Sequence, residues 1–236
     1  ICQCMLLLFC SIMLVPVVSA TESQTTSPLL SPLTTEQGLS SGGVNKVMID
    51  KTGFLWVATD RGLNRFDANE VQQLPLVGDS QIELDISQVL EDSQQRLFVT
   101  AKQQGLYQID RKTAVATLLT PLQQLESDNV PLLHDVIEQQ PDLLLLAVNK
   151  AVYQLQLPGQ QLSQIFEFDG GNSLISRIRI LKKFNQLLLI GTSNGLYAYD
   201  LKTQQHWLVQ LKDISHSPLE SFVRTLEVID NQLYLA

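Results

Sequence analysis

Residues 47–67 read VMIDKTGFLWVATDRGLNRFD, and this stretch decides the fold because its pattern returns three more times along the chain. It consists of short apolar runs separated by turn residues, with Gly53 and Gly62 at the turns. Further copies occupy residues 89–110, 136–155 and 178–200. A repeat of this kind is interpreted before local structure, because a repeated unit sets the whole architecture.

The spacing of the copies indicates which architecture they form. The position of Gly62 is taken in turn by Gly105, Ala151 and Gly195, at spacings of 43, 46 and 44 residues. A period of roughly 40–45 residues is typical of propeller blades with four antiparallel strands. No copy contains a long segment of 3.6-residue periodicity, which excludes helical repeats. The sequence therefore predicts an all-β fold, a β-propeller of four-stranded blades.

Two sequence features, the hairpin residues and a repeated Asp-x-Lys-Thr run, add detail to the predicted blades. Asn194-Gly195 is predicted to supply the positive φ angles of a tight hairpin, whereas Ala151 predicts a third hairpin of different geometry. The run Asp-x-Lys-Thr occurs at residues 110–113 and 200–203, ahead of alternating runs that we predict as outermost strands. These runs are residues 114–119 and 204–209.

The last copy is partial. A fifth unit begins at residues 222–229 and continues through residues 233–236, so the chain contains about four and a half blades. A blade buries its faces only against neighbouring blades, and propellers close with about four to eight of them. We therefore expect residues 37–236 to be the N-terminal part of a longer propeller.

The first 36 residues differ from the repeats. Residues 5–18 are almost entirely apolar and are followed by Ser19 and Ala20, which predicts a signal peptide at residues 1–20. A membrane span needs about 20 apolar residues, so a retained anchor is the less favoured alternative. All three cysteines lie in this segment, which leaves no thiol after cleavage. Residues 21–36, rich in Ser, Thr and Pro, are predicted to be a linker.

Composition narrows the function classes. The chain is 44% hydrophobic and 17% charged, with a formal net charge of −8. This composition predicts a globular protein. Nucleic acids and anionic membrane surfaces attract proteins through a positive field, so the acidic balance excludes nucleic acid as the expected partner.

The first blade resembles a known repeat. The residues that carry the resemblance are Gly38, Leu39, Ser40, Val44, Ile49, Asp50, Gly53, Phe54, Leu55, Trp56, Thr59, Gly62, Leu63, Asn64, Arg65 and Asp67. They resemble the opening repeat of the two-component regulator propeller family. The similarity extends from about residue 33 to the end of the chain, weakens in the second and fourth units, and is poor in the third.

The resemblance implies a cellular location and a function for the chain. Members of this family have a signal peptide, a periplasmic propeller, a small β-sandwich, one membrane span and a cytoplasmic histidine kinase or diguanylate cyclase. The chain would then be the sensor part of a dimeric receptor, on the periplasmic side of the inner membrane, without its output module. Its expected partner is a small molecule, an oligosaccharide or a peptide.

The most prominent residues of the repeat are interpreted as structural. Asp and Gly form a turn, Trp packs between blades, and Thr suits a strand. This blade motif comprises Asp50, Gly53, Trp56, Thr59, Gly62, Gly105 and Gly195. His134, His206 and His216 lack the spacing of paired metal ligands, so no metal, cofactor or catalytic residue is predicted in this chain.

Ligand contacts are expected on the loops that connect blades, because loops on a rigid scaffold commonly carry recognition. We predict ligand-binding roles for Asp128, Asp169, Asn172 and Asp213. The face is expected to be acidic, moderated by Arg61, Lys102 and Lys150, and therefore suited to hydroxyl-rich, cationic or peptide ligands. The connector acids are Asp79, Glu83, Asp85, Glu126, Asp128, Asp169, Asp213 and Glu220.

Two other function classes stay open. A non-catalytic periplasmic scaffold propeller would use the same face for protein contacts. A quinone-dependent dehydrogenase propeller carries a Thr-Gly motif followed by Trp in each blade, and residues 52–56 resemble it. That motif occurs once, with Trp three residues after Gly where four are expected, so this alternative is the weakest of the three.

Overall fold

Short β-strands and tight turns build the whole folded part, as the repeat predicts. The structure, a computed structural model, describes residues 32–75, 84–121, 125, 130–157, 159–169, 177–210, 223–230 and 232–235. Residues 33–236 belong to one compact unit. The predicted signal peptide and most of the predicted linker lie outside the described residues. At the end of the predicted linker, Thr34 caps a single 3₁₀ turn, η1, at Thr35–Gln37.

The described strands form four four-stranded antiparallel sheets and one two-stranded sheet, each with its strands in chain order. Blade 1 contains β1 (Val44–Ile49), β2 (Leu55–Thr59), β3 (Gly62–Phe66) and β4 (Val71–Leu74). Blade 2 contains β5 (Ile86–Glu91), β6 (Leu97–Ala101), β7 (Gly105–Ile109) and β8 (Ala116–Pro121).

The later sheets repeat this order. Blade 3 contains β9 (Leu133–Gln140), β10 (Leu143–Val148), β11 (Ala151–Gln156) and β12 (Gln161–Glu167). Blade 4 contains β13 (Ile178–Phe184), β14 (Leu187–Thr192), β15 (Gly195–Asp200) and β16 (His206–Leu208). The two-stranded sheet pairs β17 (Leu226–Ile229) with β18 (Gln232–Leu235). The predicted all-β architecture of about four and a half blades is confirmed.

Hydrophobic cores lie between successive blades. Trp56 of blade 1 packs with Ile86 and Val89 of blade 2, and Leu133 of blade 3 packs with Phe98 and Leu106 of blade 2. Similar clusters join blade 3 to blade 4 and blade 4 to the last pair of strands. Burying such a side chain contributes about 1.5–3 kcal/mol, so each blade is held by its neighbours.

The hairpins between second and third strands differ as the sequence indicates. Gly62, Gly105 and Gly195 have φ angles of 152°, 140° and 127°, while the third hairpin places its left-handed residue at Asn149, with φ of 49°. The prediction of a different third hairpin is confirmed. The prediction that Asn194 shares the positive φ is wrong, because Gly195 alone of that pair adopts it.

Candidate functional site

One face of the blades gathers the hairpins and the connectors between blades. In blade 2 the Lys102 amide donates to the Asp85 carbonyl at 2.8 Å, so the β6–β7 hairpin lies beside the start of β5. The Leu133 amide of blade 3 donates to the Lys102 carbonyl at 2.8 Å. Ile178 of blade 4 donates in the same way to Asn149 at 2.6 Å. The hairpins of blades 2 and 3 therefore contact the first strand of the next blade.

The first strand of each four-stranded blade carries a β-bulge near this face. In β1, Val44 pairs with Thr59 and Lys46 pairs with Ala58, which leaves Asn45 as the extra residue. The pairings of β5, β9 and β13 show the same one-residue shift. Bulges turn a side chain away from the regular direction of its strand. The bulge residues of blades 1 to 4 are Asn45, Ser87, His134 and Arg179.

The first two bulge residues connect neighbouring blades. Asn45 Nδ2 donates to the Ile86 carbonyl at 2.9 Å, and Ser87 Oγ donates to the Leu133 carbonyl at 2.9 Å. Each side chain therefore reaches the residue just before the bulge of the next blade. His134 departs from this pattern, because its Nε2 atom is buried and has no hydrogen-bond partner among the described residues.

A cleft of about 270 Å³ opens where the third and fourth bulges lie. Blade 2, the start of blade 3 and the start of blade 4 all contribute side chains to it. The lining residues are Asp85, Lys102, Gln103, Leu132, His134, Arg177 and Arg179. Leu132 is the one apolar residue in that described lining, so the cleft is polar and suits a small polar ligand.

The cleft is cationic. Lys102 Nζ lies 2.6 Å from Asp85 Oδ2, and Arg177 and Arg179 add two more positive charges to the described lining. Burial and the charges of Arg179, Arg177 and Lys102 lower the pKa of His134 from 6.5 to about 3, which keeps its imidazole neutral at physiological pH. Burial together with Arg177 and Arg224 lowers the pKa of the Arg179 guanidinium.

A buried carboxylate holds the strands next to the cleft. Asp135, which follows His134 in β9, accepts from Gln88 Nε2 of blade 2 at 2.7 Å and from the Leu181 amide of blade 4 at 2.7 Å. It also accepts from the Val136 amide at 2.9 Å. Burial raises the pKa of Asp135 despite these hydrogen bonds. The carboxylate joins three blades and so fixes the spacing of the bulges around the cleft.

The predicted connector residues are only partly placed. Asp169 is exposed and follows Phe168, whose amide donates to the Lys150 carbonyl in the β10–β11 hairpin at 3.1 Å. Asp169 thus lies on the same face as the cleft. Asp128, Asn172 and Asp213 lie outside the described residues, as do the connector acids Asp79, Glu83, Glu126 and Glu220.

The described lining of the cleft carries more bases than acids. Its described lining contains three cationic side chains and one carboxylate, Asp85. Asp85 accepts from Lys102 and from Asn45 Nδ2, the latter at 2.9 Å, so its charge is already compensated. The acidic connector face stays a prediction, because most of its acids lie outside the described residues.

Three residues of the blade motif, Asp50, Gly53 and Trp56, lie away from the cleft. Trp56 is 1% exposed, and its Nε1 donates to Asp50 Oδ2 at 2.7 Å. Arg111 of blade 2 reaches the same oxygen at 2.7 Å and also pairs with Glu91 at 2.7 Å. Gly53 donates its amide to the Asp50 carbonyl at 2.9 Å, which closes the turn. These residues join blade 1 to blade 2 away from the cleft.

Thr59 has a role that the sequence reasoning missed. Its Oγ1 donates to the Gly62 carbonyl at 3.0 Å, and Thr192 does the same to Gly195 at 2.9 Å. The spacing Thr-x-x-Gly in both hairpins is the signal that could have shown this. For the cleft, Arg177 and Arg179 were missed, because the bulge at Arg179 is defined only by the pairing of β13 with β14.

No protein-family model matches the chain, and no curated protein matches it either. Among solved structures, it is similar to the extracellular domain of a proposed one component system, BT4673 from B. thetaiotaomicron. The TM-score is 0.67 at 15% identity, over 82% of this chain and 26% of that chain. The extracellular domain of a proposed hybrid two component system, BT3049, gives a TM-score of 0.64 at 18% identity, covering 87% and 34%.

An enzyme shares the same architecture. A catalytically inactive virginiamycin B lyase from Staphylococcus aureus, solved with quinupristin, gives a TM-score of 0.62 at 11% identity, over 82% of this chain and 62% of that chain. The fold is a β-propeller. At the level of the fold, the resemblance seen in blade 1 is confirmed by the two extracellular domains. This chain spans about a quarter to a third of their lengths.

No group of three or more His, Cys, Asp or Glu side chains is arranged to hold a metal ion in the described part of the chain. The same part contains no helix with the length and hydropathy that crossing a membrane requires.

Proposed function

We propose that this propeller is the extracytoplasmic ligand-sensing part of a transmembrane signalling receptor of the two-component or cyclic-di-GMP type. The observation that carries the proposal is the shared fold with extracellular domains of one component and hybrid two component systems, over 82% and 87% of the chain. The resemblance of blade 1 to the two-component regulator propeller repeat supports the same assignment.

The cleft supports binding over catalysis. Among the titratable groups of the described lining, His134 is the one whose ordinary pKa, 6.5, is close to neutral pH. In the structure that pKa is lowered to about 3. A general base works best with a pKa near the operating pH, so His134 is a poor base at neutral pH. A fixed polar cleft formed by three blades is suited to recognising a ligand and to transmitting its presence between blades.

The experiment tests location and response together. The full receptor, produced in its own host with an epitope at the exposed turn around Lys202, is treated with protease in spheroplasts. We expect the propeller to be digested while a cytoplasmic marker stays intact. Kinase or cyclase output should then depend on an added solute in cells with the receptor and not in cells without it. Protection of the propeller together with cytoplasmic proteins would contradict the proposal.

The connector residues remain a second group of proposed ligand contacts. We propose that Asp128, Asp169, Asn172 and Asp213 contact the ligand, and the exposed position of Asp169 on the face that carries the cleft supports this for Asp169. Replacing the three aspartates by Ala in the full receptor should weaken the response to its solute. Replacing Asp110, in an exposed turn between outer strands, serves as the control. An unchanged response in the triple variant would remove these residues from the site.

A further inference from the structure

Blade 1 exposes, on the side away from blade 2, positions that later blades bury against the blade before them. At the three interfaces between four-stranded blades, a large apolar side chain of the second strand lies in one hydrophobic cluster with the first strand of the next blade. These side chains are Trp56, Phe98 and Leu145. Their partners are the residue before each bulge residue and the second residue after it, namely Ile86, Val89, Leu133, Val136, Ile178 and Leu181. All six partners are at most 3% exposed.

The equivalent positions of blade 1 are apolar and open. Val44 precedes the bulge residue Asn45 and is 47% exposed, and Val47 follows it by two residues and is 55% exposed. Ile49, two residues further along β1, is 71% exposed. A group of exposed apolar side chains marks an interaction site, and a blade buries its faces only against neighbouring blades.

The N-terminal segment covers the middle strands of this face but not β1. The Ser40 amide donates to Asn64 Oδ1 at 2.9 Å, and Asn64 lies opposite Val57 in the pairing of β3 with β2. Val57 is 2% exposed, whereas Val47, its partner in β1, is open. The open part of the face is therefore the first strand, which in blades 2, 3 and 4 packs against the preceding blade.

Ile49 defines the chemistry of a partner on this face. Its equivalents, four residues after the bulge residues of blades 2, 3 and 4, are Glu91, Glu138 and Lys183. Glu91 and Glu138 accept from turn amides of the preceding blade, both at 2.8 Å, and Lys183 donates to a carbonyl of the preceding blade at 2.7 Å. An isoleucine makes no such bond, so a partner that covers Ile49 must bring an apolar group to it.

We propose that the exposed side of β1 binds a further blade of the same repeat, belonging to the same polypeptide. The second strand of that blade places a large apolar side chain, equivalent to Trp56, against Val44 and Val47, and its first hairpin covers Ile49 with an apolar side chain. This contact continues the described interface between blades by one step and does not depend on the sensing function. A head-to-tail contact between two copies forms a closed ring only when its rotation fits and otherwise forms a filament, which favours a blade of the same chain.

Thiol labelling of the full-length protein tests whether β1 is covered. Residues 21–236 contain no cysteine, so Val47→Cys in a background free of other cysteines places a single thiol on this face. We expect this thiol to react with a maleimide at least about tenfold more slowly than that of Val115→Cys, because a covered thiol is shielded from the reagent. Val115, just before β8, is a matched control, since it is 57% exposed and lies on an outer strand segment. Equal rates would overturn the proposal.

Photo-crosslinking of the full-length protein identifies the occupant. The photoreactive amino acid p-benzoylphenylalanine in place of Ile49 should form a crosslink within one chain, to a blade other than blades 1 and 2, and mass spectrometry of the digested product locates it. The same amino acid in place of Val115 should form no crosslink to that blade. If the change at Ile49 prevents folding, Val44 is replaced instead.

Both results are required. A crosslinked product of twice the mass would identify a second copy as the occupant, and a crosslink to a segment outside any blade would identify a different partner. Either product, or slow labelling of Val47→Cys without a crosslink within the chain, would overturn the proposal.

Discussion

At the residue scale, His134 connects the cleft to pH. Its pKa in the folded protein is about 3, well below 6.5, so folding favours the neutral imidazole. Its contribution to stability is complete above pH 6.5 and is lost as the pH falls from 6.5 towards 3. The facing charges are Arg177, Arg179, Lys102 and Asp85. The adjacent carboxyl of Asp135 has a raised pKa and acts in the opposite direction, so a difference between variants isolates the histidine.

The variant His134→Gln should therefore remove a pH-dependent component of stability. Between pH 6.5 and 4 the free energy of unfolding of the wild type should fall more steeply than that of the variant. Urea unfolding at several pH values measures both slopes. His206→Gln, which changes an exposed histidine on an outer strand, should leave the wild-type slope unaltered. Parallel slopes for wild type and His134→Gln would show that the imidazole is not held neutral by the cleft.

A second residue-scale prediction concerns Asp135. In Asp135→Asn the amide oxygen keeps the Gln88 and Val136 bonds, and the new NH₂ group faces the Leu181 amide, which loses its acceptor. An unsatisfied buried donor costs about 1–3 kcal/mol, and that is the expected decrease in the free energy of unfolding near pH 4. The decrease should shrink as the pH rises, since burial makes the ionised wild-type carboxylate costly. An unchanged midpoint at pH 4 would contradict the three-blade contact.

At the element scale, two glycines with positive φ separate backbone preference from steric fit. A Cβ built at Gly105 would lie 2.0 Å from the Thr120 carbonyl oxygen in the neighbouring strand β8, whereas a Cβ at Gly53 meets no atom within 4 Å. Gly53→Ala should cost about 1–2 kcal/mol for its left-handed backbone alone. Gly105→Ala should cost about 3 kcal/mol or more, because β7 and β8 must separate. Chemical denaturation of both variants measures the difference, and equal costs would show that β8 adapts freely.

Also at the element scale, the outer strands could be predicted from the sequence and the β-bulges could not. The runs at residues 110–113 and 200–203 predicted outer strands because each precedes an alternating run. In both turns the structure shows the Asp side chain accepting from two following amides, at 2.8 and 3.0 Å. Such turn chemistry is local and can be recognised in a single segment. The bulges could not be predicted in this way, since a bulge is a mismatch between two strands. Arg179 therefore appeared to be an ordinary strand residue until the pairing of β13 with β14 was known.

At the scale of the whole molecule, the period of the repeat predicted the fold, but the cleft depends on contacts between blades. His134 and Arg179 are 45 residues apart in sequence, and they meet because adjacent first strands bring equivalent positions together. The connector acids were prominent in the sequence because acids outnumber bases in the connectors. Net composition did not indicate a cationic cleft, since three bases can converge within a chain that is acidic overall.

The blades should open as a connected array and not one by one. The amides of Leu133, Ile178 and Val223 each donate to a hairpin carbonyl of the preceding blade, so their exposure requires two blades to separate. Separation also exposes the hydrophobic clusters between blades. We therefore expect these three amides to exchange with deuterium as slowly as those of the central strands, although Leu133 and Ile178 lie at strand ends and Val223 precedes β17. Amides in single-blade turns, such as those of Asn69 and Lys112, should exchange far sooner. Hydrogen exchange followed by mass spectrometry at peptide resolution measures this difference. Rapid exchange at all three interblade amides would mean that each blade unfolds locally and independently. A cleft formed by three blades would then have no stable frame.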